Sequence, residues 1–379
     1  MATRVQDLRA EFPFTDQWAY LNHAAYGPFS RRTAAALNAV TAAFTSPATI
    51  DFTAYAGTES RAREHVAALV GGVPERVAFV GSLAEAMSLA AAGIDWKAGD
   101  NVVIPRDEFP SVVYPFLNQE RHGVEVRFVD KDERGFTDLG RIEAAMDGRT
   151  RALVLSHVEF MDGFRNDLHA IGALCRARDI LSIVDGTQSI GALPIDFDAS
   201  GIDVIGAHAY KWLMASFGLG VMHFSERAIE RIHPAYAGRL SVQAGFEDLG
   251  YTLEWRAGAA RYQTGGLNWL SLAAFNASAE VVREADPAET QRHCRALTER
   301  LLDEVSAMGY QVTSCRDLEH RSQIVSFSAG DTDSDARVVA LLEERNVAVS
   351  LRGKGVRVSP YFYNNDDDID RLLESLPPR

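Results

Sequence analysis

The chain has 379 residues, 47% of them hydrophobic, with ordinary glycine and proline counts, a globular composition long enough for about two domains around a large core. A net charge of -14 argues against nucleic acid or an anionic membrane as a partner. Three scattered cysteines, no signal-peptide core in "MATRVQDLRAEF" and no apolar run near the ~20 residues that span a bilayer point to a reducing, cytoplasmic setting.

From residue 76 to 224, short β-branched runs alternate with helical patterns. Seven strands are expected: "RVAFV" (76–80), "NVVIP" (101–105), "VEVRFV" (124–129), "RALVLS" (151–156), "LSIVD" (181–185), "DVIGAH" (203–208) and "LGVMHF" (219–224). Amphipathic segments such as "LHAIGALCRARD" (168–179) connect them, so the sheet is mainly parallel and covered on both faces. The link between the last two runs, "AYKWLMASFG", is too short for a helical crossover, which makes at least one of that pair antiparallel to the rest.

A long helix is expected from Leu267 to the break at Asp286-Pro287. Then come a helix ("ETQRHCRALTERLLDEVSAMG"), a strand ("QIVSFSA"), a helix ("DARVVALLEERN"), two short strands ("VAVSLR" and "GVRVSP") and a last helix from Asp366. That is a smaller α/β domain. The expected division is an N-terminal segment (1–20) packing with the small domain, a large domain (21–265) and the small domain (266–379).

Three features of the large domain carry chemistry. After the first strand, "FVGSLAEAMSLAAAG" places a Gly turn and Ser82 before a helix, an anion-binding arrangement, although an ordinary Ser cap explains it as well. Asp185 ends a central strand, where open α/β sheets bind ligands, and Gln188 can reach the same crevice. Lys211 sits among Tyr210, Trp212, Leu213 and Met214, where partial burial lowers an amine's pKa and makes it a nucleophile. A phosphate site, an acid for a pyridinium nitrogen and a lysine for a Schiff base are together what pyridoxal 5'-phosphate (PLP) requires.

The stretch "VDGTQSIGALPIDFDASGIDVIGAHAYKWL" resembles the signature of class V aminotransferase-type enzymes, the fold-type I group that holds cysteine desulfurases, isopenicillin N epimerase and kynureninase. "YLNHAAYGP" (20–28), "RYQTGGLNW" (261–269) and "VRVSPYFYNNDDDID" (356–370) are similar to the family's opening, junction and closing motifs, so the likeness covers nearly the whole chain. It implies a fold-type I PLP-dependent transferase: a seven-stranded mainly parallel sheet with a smaller C-terminal α/β domain. It implies Lys211 as the Schiff-base lysine, Asp185 as the partner of the pyridine nitrogen and Gln188 as a neighbour of the ring hydroxyl. Ser82 and the Leu83 N–H would hold the phosphate, with Tyr210 as a further contact, and Phe109 would stack on the ring. His208 stands where desulfurases have a serine and is counted with the cofactor-binding residues. Thr264 would reach the phosphate of a neighbouring subunit, which implies a homodimer with shared sites. Arg357 would grip the substrate α-carboxylate, with Asn22 and His23 of the opening motif beside the substrate.

The departures from the desulfurase pattern bear on the reaction. Phe160 stands where desulfurases place an asparagine, and "VAVSLRGKGVRVSP" lacks their catalytic cysteine. The expected activity acts on an amino-acid substrate through an external aldimine and Cα deprotonation, first as a C–S lyase performing β-elimination on a cysteine-derived substrate. Transamination ranks next, then epimerisation or kynureninase-like C–C hydrolysis, and a catalytically silent PLP-fold binding protein is the rival outside enzymes. No metal site is expected, because "HVE" (157–159) lacks a completing P-C-x-x-C and the other histidines lack ligand spacing.

Overall fold

The computed structural model describes residues 7–45, 52–243 and 249–379, with the side chains of 52–56 left aside. After a two-residue strand β1 (Ala19–Tyr20), the seven strands of the large sheet are β2 (Val77–Val80), β3 (Asn101–Pro105), β4 (Glu125–Val129), β5 (Thr150–Ser156), β6 (Leu181–Asp185), β7 (Val204–His208) and β8 (Gly220–Phe224). Their order is β2-β8-β7-β6-β5-β3-β4. Neighbours from β7 to β4 are parallel, while β8 runs antiparallel to both β7 and β2. The short link after His208 has this consequence, because it can only turn the chain back beside β7.

Every residue of β2, β3, β6 and β8 is buried, as continuous apolar runs in a sheet covered on both faces require. Alternate residues serve opposite faces: Val77 and Phe79 join one core cluster, Ala78 and Val80 the other. Only the edge strand β4 is polar, and Arg127 on it pairs with Glu125 and Asp147, which blunts the exposed edge.

The expected long helix runs from Trp269 to Ala285 and meets the next, Pro287–Ala307, at Asp286. Pro287 cannot donate into the first helix, and the Asp286 carboxylate caps the second through Ala288 N at 2.8 Å. Strands β9 (Gln311–Val312), β10 (Val325–Ser328), β12 (Ser350–Arg352) and β13 (Gly355–Val358) form an antiparallel sheet in the order β12-β13-β10-β9. Here the structure departs from the sequence reading. "VAVSLR" is not one strand, because Val347–Ala348 (β11) pairs in parallel with β1, and the chain then leaves that ladder to join β13.

The N-terminal residues lie against the end of the chain. Arg9 meets Asp368 at 2.8 Å, the Phe12 ring lies 4.4 Å from that of Tyr363, and Asn22 bridges to Ser359. Residues 1–6 of the expected N-terminal segment fall outside the described residues. We propose that the two domains part within the pair of helices that follows residue 265. Leu272, Phe275 and Ala279 of the following helix join the large core, whereas Leu297, Leu301 and Val305 of the next helix join the small one. Among the described residues, no helix is long and apolar enough to cross a membrane.

Candidate active site

The carboxyl ends of β6 and β7, the helix after β2 and the hairpin β12–β13 surround one cleft. Ser82 caps the helix Leu83–Gly93, its hydroxyl accepting from Glu85 N at 3.1 Å, so the ordinary capping role is realised. The next donor, Leu83 N–H, has only a long contact of 3.4 Å to His208 Nδ1. Burial, with Lys211 adding to it, pushes His208 down to about 4, so the ring is neutral and its Nδ1 can accept. The helix N-terminus thus holds a weakly satisfied donor facing the cleft, as an anion cradle requires.

Asp185, the last residue of β6, is buried and accepts from Thr187 N at 2.7 Å. Burial raises its pKa, and the Thr187 hydrogen bonds and the Lys211 charge pull it back. Lys211 is 8% exposed and its Nζ lies 5.6 Å from the centre of the Phe109 ring, within cation–π range. Burial lowers its pKa to about 8, Asp185 working against the shift and Arg357 and Arg352 with it. This lysine therefore gives up its proton far more readily than an exposed one, and the free amine is the form that attacks a carbonyl or takes a proton.

The lysine loop is fixed by its backbone. Tyr210 O accepts from Gly27 N at 2.9 Å and Lys211 O from Met214 N at 2.9 Å. A Cβ on Gly27 would lie 2.0 Å from the Lys211 carbonyl oxygen, so the "AYGP" of the opening motif needs glycine to lie flat on this loop. Gln188 also serves the loop. Its Nε2 donates to Ala24 O at 3.0 Å and its Oε1 accepts from Trp212 Nε1 at 2.7 Å, which leaves one amide hydrogen for anything else. His23 stacks on Trp212 at 5.2 Å and packs on Tyr361 at 4.4 Å, with both ring nitrogens buried and unpartnered. Burial takes its pKa to about 3, so it is a neutral ring in an aromatic wall behind the lysine.

Across the cleft, Arg357 of β13 is 1% exposed. Its Nη1 donates to Phe160 O at 2.6 Å, and its Nε and Nη2 are buried without partners. Burial drags its pKa down to about 9, the neighbouring Arg352 adding to the effect. Nε and Nη2 are the side-on edge of a guanidinium, which is spaced to meet the two oxygens of a carboxylate. Asn22 Oδ1 is likewise buried and unpartnered. The Phe160 ring, at the departure from the desulfurase pattern, packs edge-on to Phe109 at 5.3 Å. Tyr210 packs on Phe217 at 4.4 Å and on His208 at 4.8 Å, while Thr264 is exposed beside Gly265 and Gly266.

Four charged residues of the site region gave no sequence signal. Glu108, next to Phe109, is buried and accepts from Ser156 N at 2.6 Å; burial raises it to about 7 despite those bonds. Glu159 is buried too, raised well above the usual carboxylate range by burial and by Glu108, with Lys131 Nζ 3.9 Å away. Arg352 is the fourth. A lone charged residue in a loop has no period and no spacing to betray it, and only the fold brings these four to the cleft.

A doubly covered sheet with a strand-end acid, a buried lysine after the next strand and an unsatisfied arginine opposite them defines a fold-type I PLP enzyme. Residues 35–372 match the family model "Aminotransferase class-V", and the chain belongs to that family. It is 29% identical over 332 residues to the probable cysteine desulfurase of Methanothermobacter thermautotrophicus, covering 83% of this chain and 82% of that one. Among solved structures, the cystine C–S lyase C-DES with its product cysteine persulfide superposes with a TM-score of 0.88 at 20% identity, over 96% of this chain and 98% of that one. A C-DES mutant with glycine covalently linked to the PLP cofactor gives the same TM-score and identity over 97% and 98% of the two chains.

Proposed function

We propose that this enzyme is a PLP-dependent C–S lyase that removes the sulfur substituent of a cysteine-derived amino acid by β-elimination. The observation that supports it most is the pairing of a poorly basic, buried Lys211 with the unspent carboxylate-binding edge of Arg357 across one cleft. Similarity to the probable cysteine desulfurase of M. thermautotrophicus supports chemistry at the C–S bond.

The residues divide the work by position. Leu83 N–H and Ser82 hold the phosphate at the helix N-terminus, with His208 and Tyr210 flanking it. Phe109 covers the ring face, Gln188 braces the lysine loop and keeps one amide hydrogen towards the ring hydroxyl, and Asp185 keeps a proton on the ring nitrogen. Lys211 would hold the cofactor through its aldehyde. When bound, the cofactor supplies an electron sink for the pair left at Cα. Arg357 fixes the α-carboxylate, with Asn22 beside it and His23 supporting from behind, and this orients the Cα hydrogen towards Lys211. The lysine amine would take that proton, and its pKa of about 8 suits it to hold the proton and return it near neutral pH.

Reduction of the protein with borohydride followed by peptide mapping is expected to place a pyridoxyl group on Lys211. Label on any other lysine would remove the foundation of this reading. A panel of amino acids assayed for pyruvate, sulfide and the amine form of the cofactor separates elimination from transamination.

Sulfur leaves directly in this scheme, without a stop on the protein. Cys175, Cys294 and Cys315 are all buried, and burial raises every one of their thiol pKa values, Cys175 to about 12. None has the exposed, thiolate-rich surroundings that persulfide formation needs. Replacing all three with alanine is expected to change kcat/KM by less than about threefold in folded protein. A protein-bound persulfide whose loss abolishes activity would contradict direct elimination.

Thr264 fits a role at a partner's phosphate, and we propose a homodimer. Phe217 and Leu270 are exposed apolar side chains close to the cleft mouth, and Ser271 Oγ donates to Phe217 O at 3.0 Å to hold them together. Tyr26, next to the lysine loop, packs on Phe217 at 5.4 Å, so the patch runs into the site.

A further inference from the structure

One face of the hairpin β12–β13 closes the cleft. Its register sets Ser350 opposite Arg357 and Arg352 opposite Gly355. Residues directly opposed in an antiparallel pair point the same way, as do residues two apart along a strand. Arg357, Ser350 and Arg352 therefore share a face, while Val356 and Val358 turn into the small-domain core. Arg352 and Arg357 are diagonal neighbours, a relation that separates residues by about 7–8 Å.

This face carries two positive charges and, among the described residues, no carboxylate in ion-pair range of either arginine. Arg357 has Nε and Nη2 unspent, and Ser350 Oγ is also buried without a partner. Arg352 is half-buried and donates from Nη1 only to Leu351 O, at 2.7 Å. Its charge lowers the basicity of both Lys211 and Arg357, which puts it in the same cleft. Holding two guanidiniums and a lysine together costs energy that a bound anion would offset. A single α-carboxylate is enough for the free edge of Arg357. It leaves Arg352 and Ser350 without a task.

Building on the elimination reading above, we propose that Arg352 and Ser350 bind a second anionic group at the far end of the substrate. The substrate class is then an S-substituted cysteine whose sulfur substituent carries a carboxylate, taken in preference to free cysteine. The reaction is R–S–CH2–CH(NH3+)–COO− plus water to R–SH, pyruvate and ammonium. The Cβ–S bond breaks with its electron pair going to sulfur, Cα loses its proton, and water converts the released three-carbon unit to pyruvate and ammonium. No oxidant or reductant is consumed. Arg352 is a specificity residue in this scheme, because it touches the leaving group and not the bonds that change.

Two matched pairs of probes test this in the holoenzyme. Succinate and butyrate differ in one carboxylate, and titration calorimetry reads their binding without any turnover. S-(2-carboxyethyl)-L-cysteine and S-propyl-L-cysteine differ in the same way, and pyruvate release reads their kcat/KM. A charge-assisted contact at a half-exposed site supports a preference of about tenfold or more for the doubly charged member of each pair. Arg352→Gln is expected to bring both ratios to within about twofold of one, and Arg352→Lys to keep part of the preference. Equal binding of succinate and butyrate by the unaltered protein, or a ratio that Arg352→Gln leaves in place, overturns the proposal. If neither cysteine conjugate yields pyruvate, the elimination reading fails, while the calorimetric ratio still decides the role of Arg352.

Discussion

Asp185→Ala is expected to lower kcat/KM by about a thousandfold, roughly 4 kcal/mol of barrier at about 1.36 kcal/mol per decade. Asp185 is buried at the end of β6, where low polarity makes a fixed charge opposite a ring nitrogen count for far more than it would in water. Alanine cannot keep that nitrogen protonated, and the electron pair generated at Cα loses its stabilisation. The fold should survive, because the change gives up the hydrogen bonds from Thr187, worth about 1 kcal/mol each, and also removes a carboxylate that burial disfavours. The comparison needs kcat/KM, a thermal melt and the borohydride label on Lys211 measured side by side. A labelled, folded variant retaining activity within about tenfold of the parent would show that Asp185 is not the partner of the ring nitrogen.

Arg357→Lys is expected to cost about 10- to 150-fold in kcat/KM for amino-acid substrates, the scale of a charge-assisted hydrogen bond worth about 1.5–3 kcal/mol. The guanidinium does two tasks at once: Nη1 holds Phe160 O while Nε and Nη2 stay free for the carboxylate. An ammonium on a flexible stem cannot meet the carbonyl on one side and offer a planar pair on the other. Cofactor affinity should hardly change, because the phosphate and ring are held from the opposite wall. Equal losses in cofactor binding and substrate turnover would mean that Arg357 supports the whole cleft and does not grip the α-carboxylate.

The large sheet was legible because its buried strands are nearly unbroken apolar runs, and β8 was legible as antiparallel because ten residues leave no room for a crossover. Strands of two residues were not legible. Ala19–Tyr20 and Gln311–Val312 are too short to show a period, and "VAVSLR" reads as one strand because a change of partner at Val349 leaves no mark in composition. Ser82, Asp185 and Lys211 could be found because each stands at or just beyond the end of a recognisable strand, and Arg357 through its closing motif. The aromatic packing of His23 and the engagement of Gln188 at both ends were hidden, because each depends on Trp212 or Tyr361, residues brought close only in three dimensions. Glu108 and Glu159 meet across the ends of neighbouring elements, so neither hints at the other in the sequence.

The pairing of β1 with β11 sets a timetable for biosynthesis. Residues 19 and 20 are made long before their ladder partners Val347 and Ala348, and Asn22 long before Ser359. At about 5–20 residues per second, the roughly 330 intervening residues take roughly twenty seconds to a minute to make. Throughout that interval Leu21, buried in the small-domain core of the finished protein, lacks the strands that form that core. The same delay means that the lysine loop, although synthesised much earlier, gains Gly27 and Tyr361 as settled neighbours only as the chain is completed. A half-made protein can therefore build most of its sheet, but its lysine loop is finished last.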